Sequence, residues 1–305
     1  MTRITLDDWH RSGHTDLRFR GHRIYTRVQK AAGRPVLLLI HGFPTASWDW
    51  EAIWSDLAED NTLIAADMIG FGFSDKPRDH RYCIAEQADL FEELLRSEDV
   101  TSYHCLAHDY GDTVAQELLA RQSEPGARPR MISVSLLNGG LFPETHRPLL
   151  TQRLLLSPLG PLVAKQMSRS RLERSMRRIF GVRSQPSPEL IDGFWELIMH
   201  NDGRAALAEL IRYMEERRRY RARWVGALET ASIPIQLIVG MDDPISGAHM
   251  VERYRQLIRQ PMVKELAGVG HYPQVEAPDA VLKAYRSFQA YLDQAGVSPF
   301  PAEPS

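Results

Sequence analysis

Residues 106–118 read LAHDYGDTVAQEL, the order of residue types expected of a strand that runs into a tight turn and straight on into a helix. The apolar run ends at Ala107, a small-x-Asp-x-Gly turn follows, and helical spacing begins by Thr113. This is the pattern of a nucleophile elbow, with Asp109 at the nucleophile position. Such a turn is tight and strained, so it needs small neighbours, and Ala107 and Gly111 supply them. Taken alone the segment has a second reading, because an aspartate after a strand is also a common N-cap for the helix that follows.

Outward from the elbow, short apolar runs predict buried strands over Val36–Ile40 and over 63–66, 103–107, 131–137, 235–239 and 262–266. Helical spacing lies between most of them, over 48–57, 84–95 and 113–119, and again over 281–292. Alternation of strand and helix predicts a mainly parallel sheet covered on both faces, the α/β class. The stretch 141–224 breaks the alternation. It has helical patterning and is punctuated by Pro143, Pro148, Pro158, Pro161, Pro186 and Pro188. The expected organisation is therefore a core of 1–140 and 225–296, a helical cap of 141–224 inserted between two strands, and a Pro-rich disordered tail of 297–305.

Three other strand ends carry chemistry. The run VLLLI leads into His41-Gly42-Phe43-Pro44, where the backbone N–H of Phe43 could join that of Tyr110 in a two-donor oxyanion hole. The run IQLIVG leads into Met241-Asp242-Asp243-Pro244, which places an acid just past a strand end; Asp243 is the preferred carboxylate of the two. The last strand leads into a loop that contains His271. Each signal is weak alone, but the chain order is oxyanion loop, nucleophile, acid, histidine, each directly after a strand. In that order Asp109 is the nucleophile, His271 the general base and Asp243 the acid that orients it.

Composition narrows the partners. The chain has 305 residues, 43% of them hydrophobic, and a net charge of −2, which gives no electrostatic reason to expect nucleic acid or an anionic membrane. The N-terminal stretch lacks the apolar core of a secretory signal and no apolar run is long enough to span a membrane, so a soluble cytoplasmic protein is expected. Cys83 and Cys105 fit neither a disulfide framework nor a metal motif, and neither a metal nor an organic cofactor is expected. The arginine-rich stretches RSRLERSMRR and EERRRYRARW have interleaved glutamates and read as solvated helix faces. Trp48, Trp50 and Trp54 read as core packing, and His41 and His108 as local hydrogen-bonding support.

The motifs HGFP, DMIGFGFSDKP (67–77), HDYG, GMDDP and GHYP resemble those of α/β-hydrolases across nearly the whole chain. The His-Asp-aromatic-Gly elbow resembles epoxide hydrolases and haloalkane dehalogenases. A closer likeness is to the mesoderm-specific transcript family of hydrolases, which HDYGDTVAQELL, LLNGGLFPETHRPLL, NDG (201–203) and RARWVGAL (221–228) resemble almost word for word. That likeness implies the α/β-hydrolase fold and the triad, and leaves the substrate open.

The carboxylate itself restricts the chemistry. A serine that attacked an alkyl carbon would form an inert ether, whereas Asp109 would form an alkyl ester that His271-activated water can cleave. The substrate should then be an epoxide or an alkyl halide. Dehalogenases typically present a Trp after the nucleophile and often an Asn in the oxyanion loop; here Tyr110 and Phe43 stand in those places. An epoxide needs an acid for its leaving alkoxide, and Tyr213, in the lid near where epoxide hydrolases place a tyrosine, is the candidate, with Tyr110, His146 or His200 as possible second donors. The expectation is hydrolysis of a small apolar epoxide to a vicinal diol, with water as the other reactant. Haloalkane dehalogenation with the same triad is the first alternative and a non-catalytic binding protein the second. Monomer and homodimer are equally open.

Overall fold

The computed structural model describes residues 4–126 and 128–297. Of the expected tail, 298–305 lies outside the described residues. Among the described residues eight strands form one sheet: β1 (His14–Phe19), β2 (His22–Gln29), β3 (Val36–Ile40), β4 (Thr62–Ala66), β5 (Ser102–His108), β6 (Arg130–Leu137), β7 (Ile235–Gly240) and β8 (Met262–Leu266). Their order is β1-β2-β4-β3-β5-β6-β7-β8, antiparallel across β1/β2 and β2/β4 and parallel everywhere else. The six strands read from the sequence are all present. The first two were not read, because HTDLRF and HRIYTRVQ alternate charged and apolar residues without an apolar run, and β1 is mostly exposed at the sheet edge.

Strand order also fixes where the helices go. The chain moves one way along the sheet from β3 to β4 and the other way from β4 to β5 and on to β6. Right-handed crossovers therefore put the helix Glu51–Asp60 on one face, and Ile84–Ser97 and Tyr110–Arg121 on the other. The helix Pro278–Gln294 packs with Glu51–Asp60, and Ile84–Ser97 packs with Tyr110–Arg121. With both faces covered, β3 is apolar at every position, and Leu37, Leu38, Leu39 and Ile40 are fully buried. Trp48, Trp50 and Trp54 are buried in the same core, as read.

Between β6 and β7 the chain leaves the sheet for helices Leu150–Leu156, Gly160–Lys165, Arg169–Ile179, Pro188–Met199, Leu207–Leu210, Tyr213–Arg219 and Arg221–Glu229. Pro161 and Pro188 fall in the first turn of their helices, where a missing N–H removes no intrahelical bond. The boundary expected at 224 falls inside Arg221–Glu229, which lies against Tyr110–Arg121 through bonds from Trp224 Nε1 (2.8 Å) and Arg223 Nε (2.7 Å) to Glu117 Oε2. Among the described residues no helix is long and apolar enough to cross a membrane.

Candidate active site

At the C-terminal ends of the parallel strands, Asp109 joins β5 to the helix Tyr110–Arg121 with φ 48° and ψ −103°. A non-glycine residue holds such a backbone only where its surroundings impose it. Here the Asp109 N–H donates to the carbonyl of Leu137 (3.1 Å), at the end of β6. On the other flank Gly111 comes so close to β3 that a Cβ on it would lie 2.4 Å from the Ile40 carbonyl oxygen. A Cβ on Gly42 would sit 3.0 Å from that of Asp109. The carboxylate makes no capping bond to the helix; Oδ2 accepts instead from the Phe43 N–H at 3.1 Å. The N-cap reading of Asp109 is thereby set aside. Tyr110 is the first helical residue, so its N–H belongs to the first turn, which has no intrahelical acceptor.

His271 and Asp243 meet Asp109 from β8 and β7. Nδ1 of His271 bonds Asp243 Oδ2 at 2.7 Å, and Nε2 lies 3.9 Å from Asp109 Oδ1. Asp243 also accepts from Asn138 Nδ2 (2.9 Å), from the Ile245 N–H (2.8 Å) and from the N–H and hydroxyl of Ser246 (3.2 and 2.9 Å). Asp242, the carboxylate passed over, is exposed and bonds the Gly268 N–H. Burial drives the Asp243 carboxyl up, but the His271 charge and these hydrogen bonds outweigh it and hold the group below its ordinary value. Burial drives the His271 imidazole down; the charge and hydrogen bond of Asp243, then the charges of Asp109 and Glu276, more than offset this and raise it to about 9. Both groups are thus charged near neutral pH.

The two supporting histidines behave as read. His41 Nδ1 bonds the Gly42 carbonyl (2.9 Å) while Nε2 accepts from the Met68 N–H (3.0 Å), the one-donor, one-acceptor pattern of a neutral ring that burial pushes down to about 3. His108 Nε2 bonds the His271 carbonyl (2.8 Å) and so ties the elbow to the histidine loop.

The helix Tyr213–Arg219 closes the site from above. Tyr213 is buried with its ring centroid 4.6 Å from that of Tyr110, and its hydroxyl has no hydrogen-bond partner among the described residues. Burial, and after it the charge of nearby Asp109, holds the phenol above its ordinary value, so it keeps its proton. Arg217, one turn on, corrects the solvated-face reading of this stretch. Its neighbours Arg218 and Arg219 are exposed, but Arg217 is only 3% exposed, stacks on the Tyr213 ring, and reaches into the site. Its Nε donates to Thr113 Oγ1 (2.7 Å), its Nη2 donates to the Asp109 carbonyl oxygen (3.0 Å), and Nη2 lies 3.9 Å from Asp109 Oδ1. The other stretch, 169–178, does present a solvated face: Arg169 and Arg177 pair with Glu173.

Of the second donors considered, His146 adjoins Arg217 across Gly140, and both its ring nitrogens are buried without partners. His200 stands elsewhere, beside Phe73 and His10. Tyr220 is on the surface. Asp112, just past the elbow, is fully buried with Oδ1 accepting from the Leu137 N–H (3.3 Å), and burial raises it well above its ordinary value. Two open clefts, of about 620 and 690 Å³, lie near Phe180 and Asp279 and near Ile258 and Tyr291, away from all these groups. Asp109 and His271 themselves are 4% and 3% exposed, closed over by the helical segment.

Comparison with known proteins agrees with this architecture. Residues 35–278 match the model of the α/β-hydrolase fold family. The mesoderm-specific transcript homolog protein of Bos taurus is 42% identical over 93% of this chain and 87% of its own length, and that of Homo sapiens is 41% identical over the same shares. The chain belongs to the mesoderm-specific transcript branch of the α/β-hydrolase family. Among solved structures, the haloalkane dehalogenase DbeA from Bradyrhizobium elkani USDA94 superposes with a TM-score of 0.79, covering 93% of this chain and 99% of its own at 22% identity, a likeness of fold. For this hydrolase, sequence reading missed Asn138 and Ser246, which anchor the acid, and Arg217. Arg217 follows Tyr213 by four residues and so shares its helix face, which is the signal that would have found it.

Proposed function

We propose that this hydrolase opens an epoxide to a vicinal diol through a covalent ester on Asp109, cleaved by water that His271 activates. One observation carries the reading: a carboxylate at the elbow, anchored through one oxygen by the Phe43 N–H, has its other oxygen 3.9 Å from an acid-bonded histidine, under the unpartnered phenol of Tyr213. Oδ1 attacks a ring carbon, the C–O bond breaks, and the departing alkoxide takes the Tyr213 proton. The imidazolium of His271 returns a proton to the phenolate and becomes neutral. Loss of the Asp109 charge in the ester favours that step, since this charge is one cause of the raised imidazole. Neutral His271 then takes a proton from water, and the hydroxide attacks the Asp109 carboxyl carbon. The tetrahedral oxyanion forms on Oδ2, facing the N–H groups of Phe43 and Tyr110. Collapse releases the diol and restores carboxylate, imidazolium and phenol.

In this reading the helices between β6 and β7 act as a cap that supplies the acid. The test is a single turnover of styrene oxide in heavy-oxygen water followed by mass analysis of the peptide that contains Asp109. Label entering Asp109 supports the ester route, and label confined to the diol rejects it. Halide release from haloalkanes without epoxide turnover would move the same triad to dehalogenation. Indifference of every activity to Asp109→Ala would leave a binding protein.

A further inference from the structure

The proposed reaction uses Tyr213 and leaves other buried polar atoms near Asp109 unmatched, among them His108 Nδ1, Asp112 Oδ2 and atoms of Arg217 and His146. Arg217 spends Nε on Thr113 and Nη2 on the Asp109 carbonyl oxygen, but Nη1, also buried, has no partner among the described residues. His146 has none at either ring nitrogen. The two converge: the point where a Cβ on Gly140 would sit is 2.3 Å from Arg217 Nη1 and 2.7 Å from His146 Nδ1. A glycine at 140 is what lets both approach the same corner. Burial, and next the Arg217 charge, pushes His146 down to about 3, so the ring is neutral and offers one N–H donor and one acceptor.

Charge balance says what belongs there. Among the described residues the ion pair of Arg217 is with Asp109, at 3.9 Å. Alkylation of Asp109 neutralises that partner and leaves a buried guanidinium with an unmet donor, an arrangement that proteins avoid unless another anion takes the place. A neutral epoxide brings no lasting anion. Its alkoxide exists only until it is protonated.

We infer that the substrate carries a carboxylate, received in this corner by Arg217 Nη1 and by the N–H of His146. The substrate class is then an epoxy acid, and the expectation of a wholly apolar epoxide gives way to an anionic one. The inference rests on reading the surroundings of Asp109 as the substrate site. Charge-assisted bonds of this kind separate a carboxylate from its neutral isostere by about a hundredfold.

The experiment compares 3-phenylglycidate with 3-phenylglycidamide, in which a neutral amide replaces the carboxylate. Wild type should favour the acid in kcat/KM by about a hundredfold, Arg217→Gln should bring the ratio to about one, and His146→Phe should lower it about tenfold. The ratio, unlike the absolute rate, is insensitive to the contact of Arg217 with Asp109. In parallel, unreactive phenylacetate should raise the thermal unfolding midpoint of wild type, with phenylacetamide having no effect, and the shift should vanish in Arg217→Gln. Should that variant not fold, the wild-type pairs and His146→Phe decide. Equal handling of acid and amide by wild type overturns the inference and leaves epoxide hydrolysis standing. Selective phenylacetate binding without turnover of either epoxide sustains the anion site and overturns epoxide hydrolysis instead.

Discussion

Asp109 sits between two sets of buried polar groups that differ in one respect. On the side built from the ends of β6, β7 and β8 the acid is saturated: Asp243 accepts five hydrogen bonds, and Asn138, one of the donors, is itself held by the N–H and carbonyl of Gly240 (2.8 and 3.0 Å). On the side contributed by the chain between β6 and β7, Tyr213, Arg217 and His146 all keep unmet polar atoms. Buried polar groups are normally paired, because an unmet one costs about 1–3 kcal/mol. The saturated side is finished machinery that fixes an imidazole in place. On the reading proposed above, the unmet atoms of the other side are the ones a substrate would meet, which is why the substrate readings come from it.

The largest effect should follow from breaking the finished side. Asp243→Ala removes the acceptor of five donors, and kcat should fall by about 10³–10⁴-fold. Stability should fall by about 3–5 kcal/mol in a denaturant titration, as when one partner of a buried charged pair is lost. Unchanged stability would show that the network does not bear on the fold. On the open side the two quantities should part company. Tyr213→Phe should lower kcat for epoxides by about a hundredfold, yet leave stability unchanged or raise it by up to about 1 kcal/mol, since it deletes a hydroxyl that has no partner. A clear loss of stability would mean that the hydroxyl is bonded in the resting protein, and the contrast would fail. The smallest effect joins the two sides through Asp109. Its negative charge favours the imidazolium, so the His271 titration followed by NMR should move down from about 9 in Asp109→Asn. By the same sign, turnover limited by ester hydrolysis should rise with pH through a His271 titration lying below about 9. An unmoved titration in Asp109→Asn would uncouple the nucleophile from the histidine.

What could be read from sequence follows the same division. A strand buried on both faces announces itself as an apolar run, and β3 has the bounds that its run gives; β8, at the opposite edge of the sheet from β1, was found at its bounds although Lys264 and Glu265 in it are exposed. The hairpin β1–β2 does not announce itself, because at the sheet edge its residues need only alternate. Asp109, Asp243 and His271 were legible because each is the conspicuous polar residue after a strand and their order carries meaning. Asn138 also follows a strand, but its role is to orient an acid more than a hundred residues away, and nothing local marks that. Arg217 lay hidden in a charge run. Counting charges averages over a helix, whereas burial selects one face of it, and only register with Tyr213 separates Arg217 from Arg218.

The elbow has one more consequence. The Leu137 carbonyl and the close approaches of Gly42 and Gly111 act on the backbone of residue 109 and are blind to what lies beyond its Cβ. Position 109 is therefore a socket that aims whatever short side chain it holds. A serine seated there would be aimed as well, and with the proposed epoxide would form an ether that no water in the site can undo. Aim belongs to the frame and reversibility to a single side chain, so in the proposed reaction the difference between a catalyst and a permanently blocked protein comes down to the second oxygen of one carboxylate.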